Sequence, residues 1–260
     1  PVEFEETKFM LKKRDFLGLF KNTKPIIAML HLKGESHNDV FDRFKEELDL
    51  FINNGIDGVI IEDYFGTYKD MDRALSYVNQ QEISVPYGVN CLNVDQMGFS
   101  LAEEYHANFV QLDSVVGHVM PRDEDSIAAF IMQKRAEYEG AILGGVRFKY
   151  QPVLSNNTEY EDLQIAKERC DAICVTGDAT GKETPIQKVK RFREGVGDFP
   201  LIVGAGMTPQ NMSDQFRYAD GAIIGSYFKQ DHKAENEVSM DNVREVLKQV
   251  YKIREEYQHD

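Results

Sequence analysis

The sequence predicts an α/β fold in which eight parallel strands alternate with helices and close into a single-domain (β/α)8 barrel, or TIM barrel. Three observations predict it. The chain has 260 residues, close to the roughly 250 of a typical barrel. A short apolar phrase recurs after a polar turn at residues 57–61 (DGVII) and 220–224 (DGAII), with a weaker copy at 171–175 (DAICV). Such runs are typical of buried parallel strands.

The third observation is the regular alternation of two patterns along the chain. Between the apolar runs, large apolar residues recur at helical spacing, as at Phe44, Leu48 and Phe51 before the helix stop at Asn54-Gly55. Because strand and helix alternate throughout, the sheet is predicted to be parallel, and eight units favour closure over an open sheet. The eight apolar runs are residues 26–30, 58–61, 87–91, 109–112, 142–146, 172–175, 201–203 and 222–224.

The chain shows no linker or low-complexity tract that would mark a second domain. Residues 25–260 are therefore predicted to form the barrel, with a charged final helix over 241–257. Residues 1–24 carry several large apolar side chains, which predict an N-terminal helical extension that covers the barrel bottom or a partner subunit. These side chains are Phe9, Met10, Leu11, Phe16, Leu17, Leu19 and Phe20.

Composition excludes several classes of partner. Thirty Lys and Arg against 44 Asp and Glu leave a formal charge of −14, which disfavours nucleic acid and anionic membranes because phosphate attraction needs a cationic face. No apolar run approaches the ~20 residues of a membrane helix, and the first residues lack the features of a signal peptide. We therefore expect a cytoplasmic protein with three reduced packing cysteines. A homo-oligomer stays open.

Polar residues follow the first four strands, where a barrel exposes its reacting groups. The candidate catalytic residues are His31, Glu62, Asn90 and Asp113. Glu62 and Asp63 directly follow a buried run, and strand alternation prevents both from facing the barrel axis. With Asp113 they could position an acid and a base, or bind a divalent cation through oxygens. The alternative is an ordinary rim of hydrogen-bonded carboxylates, and His31 is either a general base or a residue that orients a loop.

Glycines follow the last two strands. Residues 203–211 (VGAGMTPQN) place Gly204 and Gly206 before Thr208, a candidate N-cap, and before a proline at the first helical position. Gly225 and Ser226 follow the eighth strand. Glycines let backbone amides approach an anion, and a helix start adds partial positive charge. These five residues are predicted to bind the phosphate of a substrate, with simple tight turns as the alternative.

The loop after the sixth strand, residues 176–182 (TGDATGK), has a superficial likeness to a Walker loop. The glycine spacing is one residue short and Glu183 replaces the Ser or Thr, so a P-loop is rejected. A lid or second anion contact through Thr176, Thr180 and Lys182 is predicted, with a surface turn as the alternative. Lys149, after the fifth strand, could form a Schiff base or a charge clamp, although a solvated lysine is commoner.

The motifs taken together resemble those of a known family, the BtpA family. The matching segments are 25–32 (PIIAMLHL), 55–63 (GIDGVIIED), 88–90 (GVN), 171–177 (DAICVTG), 203–211 and 219–226 (ADGAIIGS). The resemblance covers the predicted barrel and implies a ribulose-phosphate-binding type of barrel. The family is named for photosystem I assembly, yet it has members in non-photosynthetic bacteria, some near sugar-uptake genes. This chain departs from it at 33–37 (KGESH), where members tend to a proline-rich turn, and at Asp63, often Asn in the family.

The leading hypothesis is an enzyme that acts on a phosphorylated small metabolite, a sugar phosphate or nucleotide-like compound. Loops seven and eight would hold the phosphate while Glu62, Asp113 or His31 moves protons in a lyase, isomerase or transferase reaction. The alternative is a non-catalytic assembly or scaffold protein of the BtpA type that binds a partner through the barrel exterior. No G-x-G-x-x-G follows the first strand, which disfavours a dinucleotide cofactor. The cofactor is otherwise unknown, a divalent metal stays open, and no metal ligands are assigned.

Overall fold

The computed structural model describes residues 14–92, 94–116 and 123–259. Its eight parallel strands form one closed barrel in which each strand pairs with the next and the eighth pairs with the first. The predicted (β/α)8 barrel is therefore confirmed. The strands are β1 (Ile26–Leu30), β2 (Gly58–Glu62), β3 (Tyr87–Asn90), β4 (Phe109–Leu112), β5 (Ala141–Gly145), β6 (Ala172–Val175), β7 (Leu201–Val203) and β8 (Gly221–Ile224).

Helices surround the barrel, and several begin at the side-chain caps that their sequences provide. Thr67 and Thr158 each form a capping box at a helix start, which satisfies backbone N–H groups of the first turn. The helices are α1 (His37–Asn53), α2 (Tyr68–Gln81), α3 (Asp95–Glu104), α4 (Glu124–Glu137), α5 (Glu159–Arg169), α6 (Ile186–Val196), α7 (Met212–Gln215) and α8 (Met240–Gln258). Among the described residues, no helix has both the length and the apolar composition that crossing a membrane requires.

The barrel interior is a separate apolar cluster from the layer between strands and helices. Every second strand residue points inward, so that Ile27, Ile60 and Ile223 share this cluster with inward residues of the other strands. Phe16 and Phe20 close the bottom, and the Phe16 ring lies edge-on to Phe109 with centroids 5.3 Å apart. In residues 14–24 the predicted helical extension is a single 3-10 turn at Leu17–Leu19. Residues 1–13 of that prediction lie outside the described residues.

The first residue of the recurring phrase fixes the neighbouring strand at the barrel bottom. Asp57 Oδ2 accepts a hydrogen bond from Ile26 N at 2.9 Å, just before β2. Asp171 repeats this bond with Ile142 N in β5, and Asp220 repeats it in β7. Asn108, before β4, accepts from the first residue of β3 in the same way. Each residue preceding an even-numbered strand therefore holds the start of the preceding odd-numbered strand.

An arginine from the helix layer neutralises each of the three aspartates. Arg254 of α8 donates to Asp57 at 2.6 Å, and Arg193 of α6 donates to Asp220 at 2.6 Å. Arg135 of α4 binds both carboxylate oxygens of Asp171. The Arg135 and Asp171 side chains are almost fully buried, where an unpaired charge is strongly destabilising. The first residue of the recurring phrase thus stabilises the barrel.

We expect Asp171→Ala to lower the free energy of unfolding by about 3–5 kcal/mol, because it leaves the buried Arg135 charge unpaired and frees the Ile142 N–H. Asp42→Ala is the matched control, since Asp42 is exposed and lies 3.5 Å from Lys45. It should change the same quantity by less than about 0.5 kcal/mol. Urea unfolding measures both, and equal small losses would contradict the role of the aspartate in holding the barrel.

Candidate functional site

The carboxyl ends of the first four strands place polar side chains inside the barrel mouth. The inward positions continue the alternation of the interior cluster: Met29 is followed two residues later by His31, and Ile60 by Glu62. The strand register puts Glu62 opposite Asn90. The buried polar residues of this layer include His31, Glu62, Asn90 and Gln111, and Asp113 follows Gln111 in the same alternation.

Two adjoining chambers open at this mouth. The first chamber, about 200 Å³, lies between His31, Glu62 and the glycine loops after β7 and β8. The second chamber, about 170 Å³, lies between Glu62, Gln111 and Asp113. Six residues border both chambers, which places Glu62 where the two meet: Met29, Glu62, Tyr64, Lys149, Thr180 and Gly204.

Glu62 is a strongly perturbed carboxyl of the mouth. Its burial raises the pKa to about 8; nearby Lys149 opposes this rise, whereas Asp113 and Asp63 add to it. Glu62 is therefore mostly protonated at neutral pH. The adjacent Asp63 turns away from the barrel axis and accepts a hydrogen bond from Leu92 N at 2.8 Å. Glu62 thus faces the barrel axis and Asp63 does not, as strand alternation predicted.

His31 is buried and neutral. Burial lowers its pKa to about 3, and the positive charges of Lys229 and Lys149 lower it further. Its ring packs edge-on against Tyr64 with centroids 5.3 Å apart, and Nδ1 has no hydrogen-bond partner among the described residues. An imidazole with so low a pKa accepts a proton poorly at neutral pH, so His31 is better suited to hydrogen bonding than to acting as a general base.

Asn90 and Asp113 form a hydrogen-bonded pair beside Glu62. Asn90 Nδ2 donates to Asp113 Oδ1 at 3.2 Å, and Asn90 is almost completely buried. Asp113 borders the second chamber. The four candidate catalytic residues thus lie around the two chambers, with His31 at the first, Glu62 at both, Asp113 at the second and Asn90 next to Asp113.

The glycine loops border the first chamber with free backbone donors. No hydrogen bond joins the N–H groups of Gly206, Met207, Gly225 or Ser226 to another described residue. Gly225 also occupies an inward position, where a Cβ would lie 2.9 Å from His31 Cε1. Partnerless N–H groups that border one cavity are suited to an anion.

The local geometry around Thr208 differs from the prediction. The helix α7 begins at Met212 and not at the proline after Thr208, so the predicted start of the helix is wrong. Thr208 nevertheless makes the bonds predicted of an N-cap: its carbonyl accepts from Met212 N, its Oγ1 accepts from Asn211 N, and its own N–H donates to Asn211 Oδ1 at 2.8 Å. Thr208 borders the first chamber, but its N–H is already bonded.

The absence of a side chain at Gly206 lets the loop after β6 approach the loop after β7. Its φ is +74°, and a Cβ there would lie 2.0 Å from the Lys182 carbonyl oxygen. The missing side chain therefore lets this loop pass close to the loop after β7. Lys182 itself is exposed, and its side chain does not border the first chamber.

Thr176 and Thr180 have different positions in the loop after β6. Thr176 is fully buried and its Oγ1 accepts a hydrogen bond from Lys149 N at 2.7 Å, so its predicted place in a lid is wrong. Thr180 borders both chambers, and its N–H donates a hydrogen bond to the Tyr150 hydroxyl at 2.9 Å. Thr180 is thus the member of the predicted set that lines the chambers.

Two further residues of the mouth, Gln111 and His232, were not identified as candidates, and Lys149 was given a solvated position as its commoner outcome. Gln111 interrupts an apolar run at an inward position, and this polar residue within a strand could have been recognised in the sequence. Lys149 borders both chambers, whereas a solvated position was the commoner expectation. His232 borders the first chamber from a turn in which it and Asp231 both have positive φ, and no sequence pattern indicated that backbone conformation. In the described ranges, no group of three His, Cys, Asp or Glu side chains is placed to hold a metal ion.

The raised pKa of Glu62 predicts a pH-dependent stability. The unfolded carboxyl titrates near 4.5 and the folded one near 8, so the folded state holds the proton between these values and stability falls as pH rises through them. We expect the wild-type Tm to fall between pH 5 and pH 8 by at least about 4 °C more than that of Glu62→Gln. The exposed control Glu35→Gln should follow the wild type. Parallel curves for wild type and Glu62→Gln would contradict the perturbed carboxyl.

Comparisons with known proteins find relatives that match most of this chain and solved structures that share its fold. An uncharacterised protein of Methanocaldococcus jannaschii is 26% identical over 262 aligned positions, covering 92% of this chain and 99% of that protein. The photosystem I biogenesis protein BtpA of Synechocystis is 25% identical over 241 positions, covering 83% and 84%. The solved thiamine phosphate pyrophosphorylase from Pyrococcus furiosus shares the fold, with a TM-score of 0.59 and 15% identity over 88% of this chain and 96% of that one.

The family assignment rests on most of the chain. The model of the BtpA family matches residues 22–252, which include all eight strands. The matched range also contains the inward polar residues of the mouth and both glycine loops. The resemblance seen in the ordered motifs is thereby confirmed, and the chain belongs to the BtpA family.

Proposed function

We propose that this protein is an enzyme that acts on a phosphorylated small metabolite, a sugar phosphate or a nucleotide-like compound. The observation that carries the proposal is the place of Glu62. A buried carboxyl that holds its proton lies where a chamber with free backbone N–H groups meets a second chamber with polar walls. One chamber can hold a phosphate while the reacting carbon lies beside the acid.

The first chamber supports phosphate binding by backbone donors. Gly206, Met207, Gly225 and Ser226 present N–H groups that no described residue uses. Hydrogen bonds from N–H groups to an anion are shorter and stronger than those between neutral groups. Loops seven and eight are also where (β/α)8 barrels commonly hold phosphate. Because the chain carries a net charge of −14, attraction of a phosphate has to come from such local donors and from Lys149.

Glu62 is suited to donate a proton in the reaction. A pKa of about 8 keeps the acid protonated at neutral pH and close to the pH at which proton transfer is efficient. Lys149 borders the same two chambers and stabilises the carboxylate that remains after transfer. A proton donor at this point serves isomerisation, aldol-type cleavage or transfer at a sugar carbon, and these three reaction classes stay open.

A non-catalytic assembly role does not explain why the Glu62 carboxyl is buried and holds its proton. Burying a carboxyl that has to keep its proton lowers stability at neutral and higher pH. A scaffold that binds its partner through the barrel exterior gains nothing from that cost, whereas catalytic sites commonly bear it. The name of the Synechocystis relative describes the biogenesis role of that protein, and the buried Glu62 favours an enzyme for this chain.

Ser226→Pro tests the phosphate site, because it removes one backbone N–H at the first position of the 3-10 turn Ser226–Phe228, where proline is tolerated. We expect it to weaken inorganic phosphate binding about tenfold, the loss of one charge-assisted hydrogen bond. Ser226→Ala keeps the N–H and should change affinity less than about twofold. Calorimetry on folded variants measures both.

Two outcomes of this experiment contradict the proposal. One is wild-type protein that binds no inorganic phosphate at millimolar concentration. The other is an equal loss in Ser226→Pro and Ser226→Ala, because the hydroxyl and not the backbone N–H would then hold the anion. Circular dichroism of each variant establishes that the comparison is made on folded protein.

A further inference from the structure

We propose that the second chamber binds the hydroxyl-bearing half of the substrate, which makes the substrate a sugar phosphate and not a nucleotide. This inference rests on the proposed function, because it assumes that the phosphate lies in the first chamber. It is drawn from the partnerless oxygen atoms that border the second chamber, and it assigns a role to Gln111, which neither the fold nor the phosphate site uses.

Gln111 is a buried amide with an unused acceptor. It lies at an inward position of β4, is 5% exposed and borders the second chamber. Its Oε1 has no hydrogen-bond partner among the described residues. An unpaired buried polar atom lowers stability, and an apolar residue at this inward position would avoid that cost. A ligand that donates a hydrogen bond to Gln111 would remove it.

A second amide oxygen shares this property. Gln151 borders the second chamber, and its Oε1 is buried without a partner in the described part of the chain. Both partnerless amide atoms of the residues that line this cavity are thus oxygens. An amide or hydroxyl oxygen accepts hydrogen bonds, so the chamber calls for a ligand with several donors close together.

The acceptor character extends to the neighbouring pair of Asn90 and Asp113. The Asp113 carboxylate lies in the chamber wall. Asn90 Nδ2 donates to Asp113 Oδ1 at 3.2 Å, which sets the direction of the Asn90 amide because a carboxylate oxygen accepts. Asn90 Oδ1 remains without a partner in the described residues. The pair therefore adds acceptor atoms to this side of the mouth.

A row of sugar hydroxyls matches these requirements better than a nucleobase. The chamber of about 170 Å³ has room for several water molecules. Successive carbons that each carry a hydroxyl offer one donor per carbon and replace such waters hydroxyl for hydroxyl. A nucleobase concentrates its few donors on one edge, and most of its surface is a flat face.

Gln111→Leu tests the inference, because it keeps the size of the side chain and removes its hydrogen-bonding atoms. The probes are ribose 5-phosphate, glucose 6-phosphate, AMP and inorganic phosphate, measured by calorimetry. We expect the wild type to bind at least one of the two sugar phosphates at least tenfold more tightly than inorganic phosphate and than AMP. Gln111→Leu should weaken that sugar phosphate at least fivefold and leave inorganic phosphate within twofold.

Two further variants make the comparison specific. Gln80→Leu changes an exposed glutamine of α2 and should leave all four affinities unchanged. Gln151→Leu removes the second partnerless amide of the chamber and should weaken the sugar phosphate selectively, which keeps the test available if Gln111→Leu does not fold. Circular dichroism and Tm establish folding for each variant.

The outcomes separate this inference from the proposed function. If wild-type protein fails to bind inorganic phosphate, the proposed function fails. If it binds inorganic phosphate but neither sugar phosphate more tightly, or if Gln111→Leu and Gln151→Leu bind the sugar phosphate like the wild type, this inference alone is overturned. Tighter binding of AMP would make the substrate a nucleotide. Binding of Mg²⁺ alone, abolished in Gln111→Leu, would make the chamber a cation site and would also overturn the inference.

Discussion

The site at the top of this barrel depends on hydrogen bonds at its bottom. Asp57, Asn108, Asp171 and Asp220 each hold an N–H of the neighbouring strand and so define the strand register. Because side chains alternate along a strand, a slip of one residue would turn an inward side chain outward. In β2 such a slip would exchange Glu62 for Asp63. The recurring phrase therefore holds the strand register at the barrel bottom, and this register directs Glu62 inward at the barrel mouth.

Burial of a carboxyl is the second constraint, and it acts against stability. Glu62 lies among inward residues with Lys149 nearby, and none of the ion pairs among the described residues involves Glu62. A protonated acid satisfies this environment, and a neutral His31 beside it adds no competing charge. The mouth thus keeps both groups uncharged at neutral pH, which leaves Lys149 as a positive charge bordering both chambers.

Most of the fold could be predicted from the sequence, because the strands are short, mainly apolar runs bounded by polar residues. The observed strand ends differ from the predicted ones by at most one residue. Helix α5 had no clear helical pattern, since its buried residues include Asp162 alongside Leu163 and Ala166. The placement of His31, Glu62, Asn90 and Asp113 around one mouth followed from their positions after strands, while their roles stay predictions.

The loops were harder to predict because their geometry comes from single side-chain bonds. Thr176 binds the backbone of Lys149, and Thr208 closes a turn with Asn211. The bond of Thr176 leaves no pattern in the sequence, whereas that of Thr208 agrees with its prediction as an N-cap. Gly206 borders the first chamber, yet its missing side chain serves the neighbouring loop. A composition of glycine, threonine and lysine indicates an anion loop without showing which atoms face the anion.

We propose that Glu62 donates a proton during turnover of a phosphorylated metabolite. The most direct measurement is NMR-monitored conversion of a panel of tetrose, pentose and hexose phosphates, followed by the pH profile of kcat for the compound that reacts. We expect kcat to fall as pH rises above about 8, where Glu62 loses its proton, and Glu62→Gln to lower kcat at least about 100-fold with phosphate affinity unchanged. Turnover that survives in Glu62→Gln, or the absence of turnover for every sugar phosphate, would contradict it.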